Sequence, residues 1–396
     1  MTNHQSQIAA LALQRSRYKH LSDDEWRWML QQVEGRERTA DKLPAFAAID
    51  DWWYPVRLSC EQCSSELTAR YKAHLAGSHK TKDNGFFVDL TAGYGVDTYF
   101  LSEHFTHTDY VEQNTELCRI AEHNFEFKIQ NSRFKIYNTT AEEFLQTAGQ
   151  YDLIYLDPAR RDSHGGKVFR LEDCTPNVAE LLPELLNHLT PDGRIMLKLS
   201  PMLDITQAVK ELSAISLQWS VYVVAVRNEV KEILLLSHQP SVVSPQTITA
   251  IDLAEPEKAF TFTREEEREV NFKFQISNFK FIYEPNAAIL KAGAYKLVAQ
   301  WFGLQKLDVN THLYASDRLI ENFPGRIWQI KSQITNHKLQ IEHANVLTRN
   351  YPLTAEQLRK KLKLKDGGDT FIIGCRVNGK PTLFTAQRLE DVHSES

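Results

Sequence analysis

The stretch Phe86–Asp97, which reads FFVDLTAGYGVD, constrains the fold more than any other part of the chain. Its apolar start predicts a buried parallel strand, and Asp89 ends that strand. Gly93 and Gly95 follow in a turn of small residues, where glycine permits positive φ angles and lets a ligand approach the backbone. Asp97 stands where a helix would begin and is predicted to cap it. A strand, an acid, a glycine turn and a helix in this order predict the first unit of a doubly wound nucleotide-binding sheet.

Strand and helix patterns alternate from residue 86 to about 238, which predicts a mostly parallel sheet covered by helices on both faces. After the first strand, the predicted parallel strands are Thr108–Glu112, Phe134–Tyr137, Tyr151–Leu156 and Arg194–Leu199. Predicted helices span residues 114–130, 176–189 and 204–213, and another is predicted to start with residues 141–145. Gln218–Val226 and Glu232–Ser237 are predicted to form an antiparallel hairpin at the edge of the sheet.

Polar residues stand at the ends of four of these strands. They are Asp89 with its glycine turn, Glu112, the run Asn138-Thr139-Thr140, and the run Asp157-Pro158-Ala159-Arg160-Arg161. Because the carboxyl ends of parallel strands line one crevice, these residues together predict a nucleoside site. Glu112 follows the glycine turn by about twenty residues, where a carboxylate would bind ribose hydroxyls. Lys198 ends the fifth strand and is interpreted as an exposed lysine rather than one that points into the crevice.

The glycine turn differs from that of dinucleotide enzymes, because Thr91 and Thr98 stand where the first and third glycines of G-x-G-x-x-G would be. The hairpin after the fifth strand also differs from a dehydrogenase layout. At this point residues 84–240 resemble a class I S-adenosylmethionine-dependent methyltransferase. The resemblance depends on the turn from Thr91 to Gly95 after Asp89, on the acid Glu112 and on the pair Asp157-Pro158.

A narrower resemblance covers most of the chain. The segments DLTAGYGVD, LDPARR, EPNAAILKAGA from Glu284, RNYP from Arg349 and KDGGD from Lys365 are similar to those of bacterial methyltransferases with a THUMP-like C-terminal domain. The resemblance implies an N-terminal helical segment (1–82), an α/β Rossmann-like methyltransferase domain (83–240) and a C-terminal α+β domain of the THUMP-like or ferredoxin-like type (241–396). Members of this family are regarded as modifiers of RNA.

The resemblance to class I enzymes also implies which residues would bind S-adenosylmethionine. Glu112 would hold the ribose, and Thr140 and Ala141 would lie where the adenine edge is read. The backbone of the turn and nearby acids would surround the methionine portion, through Asp89, Thr91, Gly93, Gly95, Asp97 and Asp157.

Catalytic roles are implied for Asp157, Pro158 and Arg160. The Asp157 carboxylate and the Pro158 carbonyl would face the acceptor. Many enzymes that methylate exocyclic base amines have Asp/Asn-Pro-Pro-aromatic here, but this chain has Ala159 and Arg160 at the last two positions. Arg160 would stack on a base or bind a phosphate, and a solvated basic pair with Arg161 is the alternative. Amine methylation is therefore left open.

Charge is distributed unevenly along the chain. The formal net charge is −5, which argues against a uniformly basic nucleic-acid binder. Residues 84–240 hold 13 basic and 22 acidic residues, whereas residues 326–365 hold nine basic and two acidic residues. This basic segment, with Trp328 and Tyr351 as stacking residues, predicts RNA as the partner and methylation of an RNA base as the function. A small-molecule or protein substrate is the alternative, which the acidic domain favours, and a catalytically silent RNA-binding module is the third possibility.

The flanking regions contain helix-start signals. Ser22 with Glu25, and Thr354 with Gln357, form predicted capping boxes at the starts of two helices. A third helix is predicted over Pro285–Trp301. Strands are expected near 271–283, 310–315, 326–333, 340–348, 370–377 and 381–386, which gives the C-terminal part an α+β pattern.

The five cysteines indicate a reducing compartment rather than a disulfide framework. Cys60, Cys63, His74 and His79 resemble a zinc pattern, but the gap between the second cysteine and the first histidine is short and lacks a ββα pattern, so no metal site is predicted. The absence of a long apolar run and of a signal-peptide core predicts a cytoplasmic protein without a membrane span. The oligomeric state is not predicted.

Overall fold

The computed structural model describes residues 14–77, 85–129, 133–160, 171–212, 217–238, 246–271, 279–335, 339 and 341–389. The chain divides into two compact units. The first contains residues 1–219 and 234–243, and the second contains residues 220–233 and 244–396. No helix in these ranges is both long and apolar enough to cross a membrane.

In the described part of the chain, four α-helices precede the first strand: α1 (Asp23–Thr39), α2 (Pro44–Ala47), α3 (Arg57–Gln62) and α4 (Glu66–Gly77). The predicted capping box is present at α1, where Ser22 Oγ accepts from the Glu25 amide and the Glu25 carboxylate accepts from the Ser22 amide. Phe46 and Trp52 are buried with Phe100, which follows the first strand, so these helices share a core with the nucleotide-binding part of the first unit.

The strands from residue 86 to residue 263 are β1 (Phe86–Asp89), β2 (His107–Val111), β3 (Arg133–Tyr137), β4 (Tyr151–Leu156), β5 (Ala159–Arg160), β6 (Cys174–Thr175), β7 (Leu189–Leu199), β8 (Gln218–Val226), β9 (Glu229–His238), β10 (Thr247–Asp252) and β11 (Phe260–Thr263). The helices between them are α5 (Val96–Leu101), α6 (Thr115–Ile129), α7 (Ala141–Leu145), α8 (Val178–Asn187) and α9 (Ile205–Leu212). All five predicted parallel strands are present, and β7 begins earlier than predicted.

In the sheet of the first unit, β1 lies between β2 and β4, β3 lies beside β2, and β7 lies beside β4, all in parallel. The chain therefore reverses its direction of winding between β1 and β4. Ligands of doubly wound sheets bind at the carboxyl ends of the strands at such a reversal. The Rossmann-like architecture predicted from the sequence is confirmed.

β8 and β9 are neighbours joined by a two-residue turn, in which Arg227 and Asn228 have φ angles of 51° and 65°. Positive φ at both central residues is typical of a hairpin turn whose twist matches that of its strands. β10 pairs in parallel with β8, so the predicted position at the sheet edge is wrong. The sequence reading also missed β10, β11 and the helix α10 (Arg264–Glu269).

The second unit contains a seven-stranded sheet in the order β13-β14-β12-β15-β18-β17-β16. Its strands are β12 (Phe281–Pro285), β13 (Gln305–Asp308), β14 (Thr311–Ser316), β15 (Gly325–Gln333), β16 (Asn345–Arg349), β17 (Thr370–Val377) and β18 (Lys380–Leu389). Its remaining helices are α11 (Ala287–Ala292), α12 (Leu297–Trp301) and α13 (Ala355–Leu362). Thr354 and Gln357 form the predicted capping box of α13, and the α+β pattern is confirmed.

Of the sequence predictions for this unit, one helix differs from the structure and one strand patch falls on residues that the structure does not describe. The predicted helix over Pro285–Trp301 is two helices, because Gly293 takes the left-handed conformation (φ 84°) and ends α11. The strand patch predicted at Phe272, Phe274 and Ile276 lies outside the described residues.

Trp328 is not available to stack on a base, so that part of the RNA prediction is wrong. The residue lies on β15 and is 1% exposed, packed with Ile282 and Ile373 in the core of the second unit. Alternate residues of a strand face opposite sides of its sheet, and Trp328 falls on the inward side. Tyr351 also packs against a hydrophobic cluster of this unit.

Candidate active site at the carboxyl ends of the parallel strands

A cavity of about 300 Å³ lies at the carboxyl ends of β1, β2, β3 and β4. It is lined by all nine residues that the sequence predicted to bind the cofactor: Asp89, Thr91, Gly93, Gly95, Asp97, Glu112, Thr140, Ala141 and Asp157. Cavities that hold small ligands typically have volumes of about 300–1,000 Å³. The fold therefore brings residues from a span of nearly seventy positions to one place, and that they bind the cofactor stays a prediction.

Asp89 is buried at the end of β1 and shapes the turn that follows. Its Oδ1 accepts from the Thr91 amide at 3.0 Å, and its Oδ2 accepts from the Thr98 hydroxyl at 2.6 Å. Burial raises the pKa of this carboxyl to about 8, although both hydrogen bonds act in the opposite direction. Asp89 thus fixes the conformation of the turn through hydrogen bonds to residues on both sides of it.

Gly93 and Gly95 both have positive φ angles, 58° and 81°, but their surroundings differ. A Cβ at Gly95 would lie 2.8 Å from the Phe125 ring, whereas a Cβ at Gly93 would meet only the Thr91 carbonyl oxygen, at 3.8 Å. Since Gly93 lines the cavity, a side chain there would occupy space that a ligand would otherwise fill. The two glycines therefore have different tasks, close packing at Gly95 and open access at Gly93.

Glu112 follows β2 and is fastened to the glycine turn. Its Oε2 accepts from the Gly93 amide at 2.9 Å, and its Oε1 accepts from the Asn114 amide at 2.7 Å. A carboxylate has about four acceptor positions, so two remain for a ligand. This geometry suits the predicted role, in which the carboxylate would accept from ribose hydroxyls.

The segment after β3 completes this side of the cavity. Asn138 donates through Nδ2 to the carbonyl oxygens of Glu112 and Gln113, both at 3.0 Å, and so joins the ends of β2 and β3. Thr140 caps α7 by accepting from the Glu143 amide at 3.2 Å, and Ala141 is the first residue of that helix.

Asp97 was predicted to cap α5, and this prediction is wrong. Gly95 occupies the cap position, and Asp97 is the second residue of the helix. Its Oδ2 accepts from the hydroxyls of Ser64 and Tyr155, each at 2.7 Å, and its Oδ1 lies 3.1 Å from the Lys72 ammonium nitrogen. Burial by itself would raise the pKa of Asp97, but the charges of Lys72 and Lys198 and these hydrogen bonds lower it below its usual value.

The N-terminal helices supply residues that the sequence reading did not include in the site. Ser59, Gln62, Cys63 and Ser64 line the cavity from α3 and from the connection between α3 and α4. No local motif marks these positions, since their role depends on a contact between segments about 33 residues apart, as between Ser64 and Asp97.

Asp157, at the end of β4, forms an ion pair with Lys198 of β7. The Lys198 side chain is only 14% exposed, so its interpretation as an exposed strand-end lysine is wrong. The Asp157 amide donates to Thr91 Oγ1 at 2.6 Å and joins the turn after β4 to the turn after β1. Pro158 is buried and does not line the cavity.

The remaining candidates give less information. The backbone of Arg160 pairs with Cys174 between β5 and β6, and Arg161 lies outside the described residues. The Cys60 and Cys63 thiols donate to the carbonyl oxygens of Pro55 and Cys60, and His79 is not among the residues described. Within the described ranges no three His, Cys, Asp or Glu side chains form a group that would hold a metal ion.

Comparisons with known proteins bear on both units. Residues 281–324 match a family of ferredoxin-like domains, and residues 318–388 match a family of THUMP domain-like sequences. No curated protein matches the chain.

Solved structures match much more of the chain. The crystal structure of a "putative methyltransferase" from Porphyromonas gingivalis W83 is 32% identical, with a TM-score of 0.81, and the match covers 98% of this chain and 100% of that one. Two further matches have TM-scores of 0.34 and 0.33. The first is a methyltransferase candidate from Streptococcus mutans in complex with SAH (13% identity, 42% of this chain and 96% of that one). The second is the SAM-dependent methyltransferase from Agrobacterium tumefaciens (15% identity, 44% of this chain and 62% of that one).

The similarity to the Porphyromonas protein extends over the whole length of both chains, and the matched C-terminal domains agree with it. The chain belongs to the family of methyltransferases with ferredoxin-like and THUMP-like C-terminal domains, which confirms the predicted fold class and enzyme class.

Proposed function

We propose that this methyltransferase acts on RNA and methylates a base. The observation that carries the proposal is the THUMP-like match over residues 318–388, because the resemblance found in the sequence implies RNA modification for enzymes with this domain. Lys360, Lys361, Lys363 and Lys365 lie inside the matched region, and all four are exposed at or beyond the end of α13. Exposed lysines of this kind neutralise phosphates and supply affinity without sequence preference.

Not every basic residue of segment 326–365 supports the proposal. Arg349 and Arg326 pair with Glu284, whose side chain is only 4% exposed. These arginines offset a buried charge, which is a structural task. The phosphate-binding surface that we propose is therefore the group of four lysines, and we name it the α13 lysine cluster.

We further propose that the cavity of the first unit holds S-adenosylmethionine through the nine lining residues. The open space at Gly93 and the two remaining acceptor positions of Glu112 fit a nucleoside with a methionine chain. When bound, the cofactor supplies an electrophilic sulfonium methyl group. The glycine turn and Glu112 would orient it, while Asp157 and Lys198 would lie toward the acceptor as an ion pair whose charges balance.

The Asp157 carboxylate would accept a hydrogen bond from the acceptor group and align it, a contribution that comes from positioning. Asp157 is held in the required place because its amide donates to Thr91 and its carboxylate pairs with Lys198. Pro158 fixes its own φ and biases Asp157 toward an extended conformation. Arg160 stays a candidate for contact with a base or a phosphate.

Two experiments test the proposed function. Isothermal titration calorimetry with S-adenosylhomocysteine would show binding at one site per chain, and NADH would not bind. Mass spectrometry of nucleosides from cells with and without the protein would show one methylated nucleoside that depends on it. Methylation of protein or of a small molecule instead, with RNA binding that does not depend on salt, would contradict the RNA proposal.

Location and domain division are part of the same proposal. All five cysteines have free thiols, which supports the reducing cytoplasm. Residues 244–396 fall together in the second unit, which supports a domain boundary near residue 240. We propose the division into 1–82, 83–240 and 241–396, in which the first boundary separates the N-terminal helices from the strand-and-helix pattern within a single compact unit.

A further inference from the structure

A buried ion pair joins the N-terminal helices to the wall of the cavity. The Lys72 side chain of α4 is 0% exposed, and its ammonium nitrogen lies 3.1 Å from Asp97 Oδ1. Lysine is almost never fully buried unless it is paired, because an ammonium group loses its hydration when it leaves water. Removing one partner of such a pair leaves an uncompensated charge in the interior. The position of Asp97 therefore depends on Lys72.

The same carboxylate organises two other side chains. Asp97 Oδ2 accepts from Ser64, in the α3–α4 connection, and from Tyr155 of β4, while Lys72 also donates to Ser64 Oγ at 3.2 Å. The four side chains form one network that joins α4, the α3–α4 connection, α5 and β4. Buried polar networks rigidify the core around them, and removing one member leaves the others with a costly unpaired group.

The network stands directly behind the ligand space. Ser64, Asp97 and Tyr155 line the cavity, whereas Lys72 does not. Lys72 therefore acts on a ligand through Asp97 and Ser64, which it contacts. The charge of Lys198 also lowers the pKa of Asp97.

We infer that Lys72 is a positioning residue of the cofactor site, and that the α3–α4 connection is one wall of that site. Lys72 holds Asp97, and Asp97 fixes Ser64 and Tyr155 against a ligand made of a nucleoside and a methionine chain. This inference rests on the proposed function, since it takes the cavity as the binding place of S-adenosylmethionine. It assigns the N-terminal helices to ligand binding, in addition to their part in the core.

The test uses the full-length protein and S-adenosylhomocysteine as the probe. This probe carries no sulfonium charge, so its affinity reports the shape of the site more than the net charge of the cavity. We expect Lys72→Met to raise the Kd at least tenfold while about one site per chain remains. We expect the double variant Lys72→Met/Asp97→Asn, which removes both charges, to bind the probe more tightly than Lys72→Met, because no uncompensated carboxylate then remains in the wall of the cavity.

Calorimetry separates a positioning role from a loss of folding, because unfolded protein lowers the number of sites whereas a loosened cavity raises the Kd. If Lys72→Met does not fold, Asp97→Asn serves as the second variant and is expected to raise the Kd in the same way. Arg57→Met is the matched control, since Arg57 forms an ion pair with Glu61 on α3 in which both side chains are exposed (59% and 48%).

An unchanged Kd in Lys72→Met would overturn the inference. Equally weak binding by the single and double variants would overturn it too, because an uncompensated Asp97 carboxylate would then not be the cause of the loss. Failure of the wild-type protein to bind the probe would instead refute the proposed cofactor site, and the inference with it.

Discussion

At the scale of single residues, the buried carboxyl of Asp89 makes the stability of the protein depend on pH. Its carboxyl has a pKa of about 8 in the folded protein, raised chiefly by burial from an ordinary value of 3.8. Between these two values the folded state binds a proton that the unfolded state has lost. Linkage then requires the free energy of unfolding to fall as the pH rises through this window, with most of the stability present at its acid end.

We predict that Asp89→Asn removes this dependence. Asparagine has the shape of the protonated acid, its Oδ1 can accept from the Thr91 amide, and its Nδ2 can donate to the Thr98 hydroxyl. Without cofactor, the variant should exceed the wild type in stability by at least ~2 kcal/mol at pH 8 and by little at pH 4.5. Thermal unfolding across this range is the measurement, and parallel curves for the two proteins would contradict the prediction.

Asp157 is the residue on which the acceptor side of the site depends. We predict that Asp157→Ala leaves the Kd of S-adenosylhomocysteine unchanged within a few fold. Turnover should fall about 10²–10⁴-fold, the scale of a positioned acid–base group, and Asp157→Asn should reduce it modestly. The measurement is transfer of a labelled methyl group to the RNA substrate.

Lys198→Met removes the lysine and keeps the Asp157 carboxylate. Its turnover therefore separates the effect of the carboxylate from the effect of the ion pair. Wild-type turnover in Asp157→Ala would reduce Asp157 to a structural role in the turn.

The candidate site shows which residues a sequence can disclose. Asp89, Glu112 and Asp157 were predictable because strand ends in a parallel sheet meet at one edge, whatever the details of packing. Lys72 was not, since a lysine on a helix is interpreted as a surface residue until its partner is known. Lys198 failed for the same reason, because only the fold places its ammonium beside Asp157.

At the scale of elements, regular patterns predicted well and breaks in them did not. β4 and β8 have the predicted bounds, and α7 begins at Ala141 as predicted, because each has a run of apolar or capping signals that agree. The predicted helix over 285–301 failed at Gly293, whose left-handed conformation ends α11. Glycine at the end of a helix is a recognised signal, and the apolar pattern on both sides concealed it.

The glycine turn provides a matched pair of variants at this scale. Both Gly93→Ala and Gly95→Ala place a Cβ at positive φ, which costs about 1 kcal/mol. Only the Gly95 variant also meets the Phe125 ring at 2.8 Å. We predict that Gly95→Ala lowers the unfolding temperature by several degrees more than Gly93→Ala, which should shift it by about 2–4 °C in a domain of this size.

Gly93→Ala should raise the Kd of S-adenosylhomocysteine more than Gly95→Ala does. Gly93→Val should nearly abolish binding. Calorimetry and thermal unfolding of the same samples give both quantities. Equal effects of the two alanine variants on stability and affinity would refute the division of tasks between these glycines.

At the scale of the whole molecule, charge separates two parts of the sequence. Residues 84–240 have nine more acids than bases, whereas residues 326–365 have seven more bases than acids. An RNA approaching the cavity would meet a repulsive field, so its affinity must come from elsewhere in the protein. The α13 lysine cluster lies within the THUMP-like match, and we propose that this group of exposed cations supplies the affinity.

Reversing charge in this cluster tests the proposal. We predict that Lys360→Glu/Lys361→Glu/Lys363→Glu weakens binding of a mixed-sequence single-stranded RNA by at least about tenfold at 0.1 M salt. The slope of log affinity against log salt should fall by up to about 2, since each phosphate contact on a single strand contributes about 0.7. The Kd of S-adenosylhomocysteine should not change, because these lysines are not among the residues that line the cavity.

The control for this prediction makes the same change in net charge at exposed arginines outside the THUMP-like match. Arg27→Glu/Arg57→Glu/Arg268→Glu uses side chains that are 74%, 59% and 75% exposed and whose surface ion pairs contribute little to stability. If RNA affinity depends on the overall field, both triple variants will weaken binding equally. If it depends on contacts made by the cluster, only the lysine variant will lose both affinity and salt dependence. Unchanged RNA binding in the lysine variant would leave these residues as a solvated helix end, and the RNA-binding surface would have to lie elsewhere.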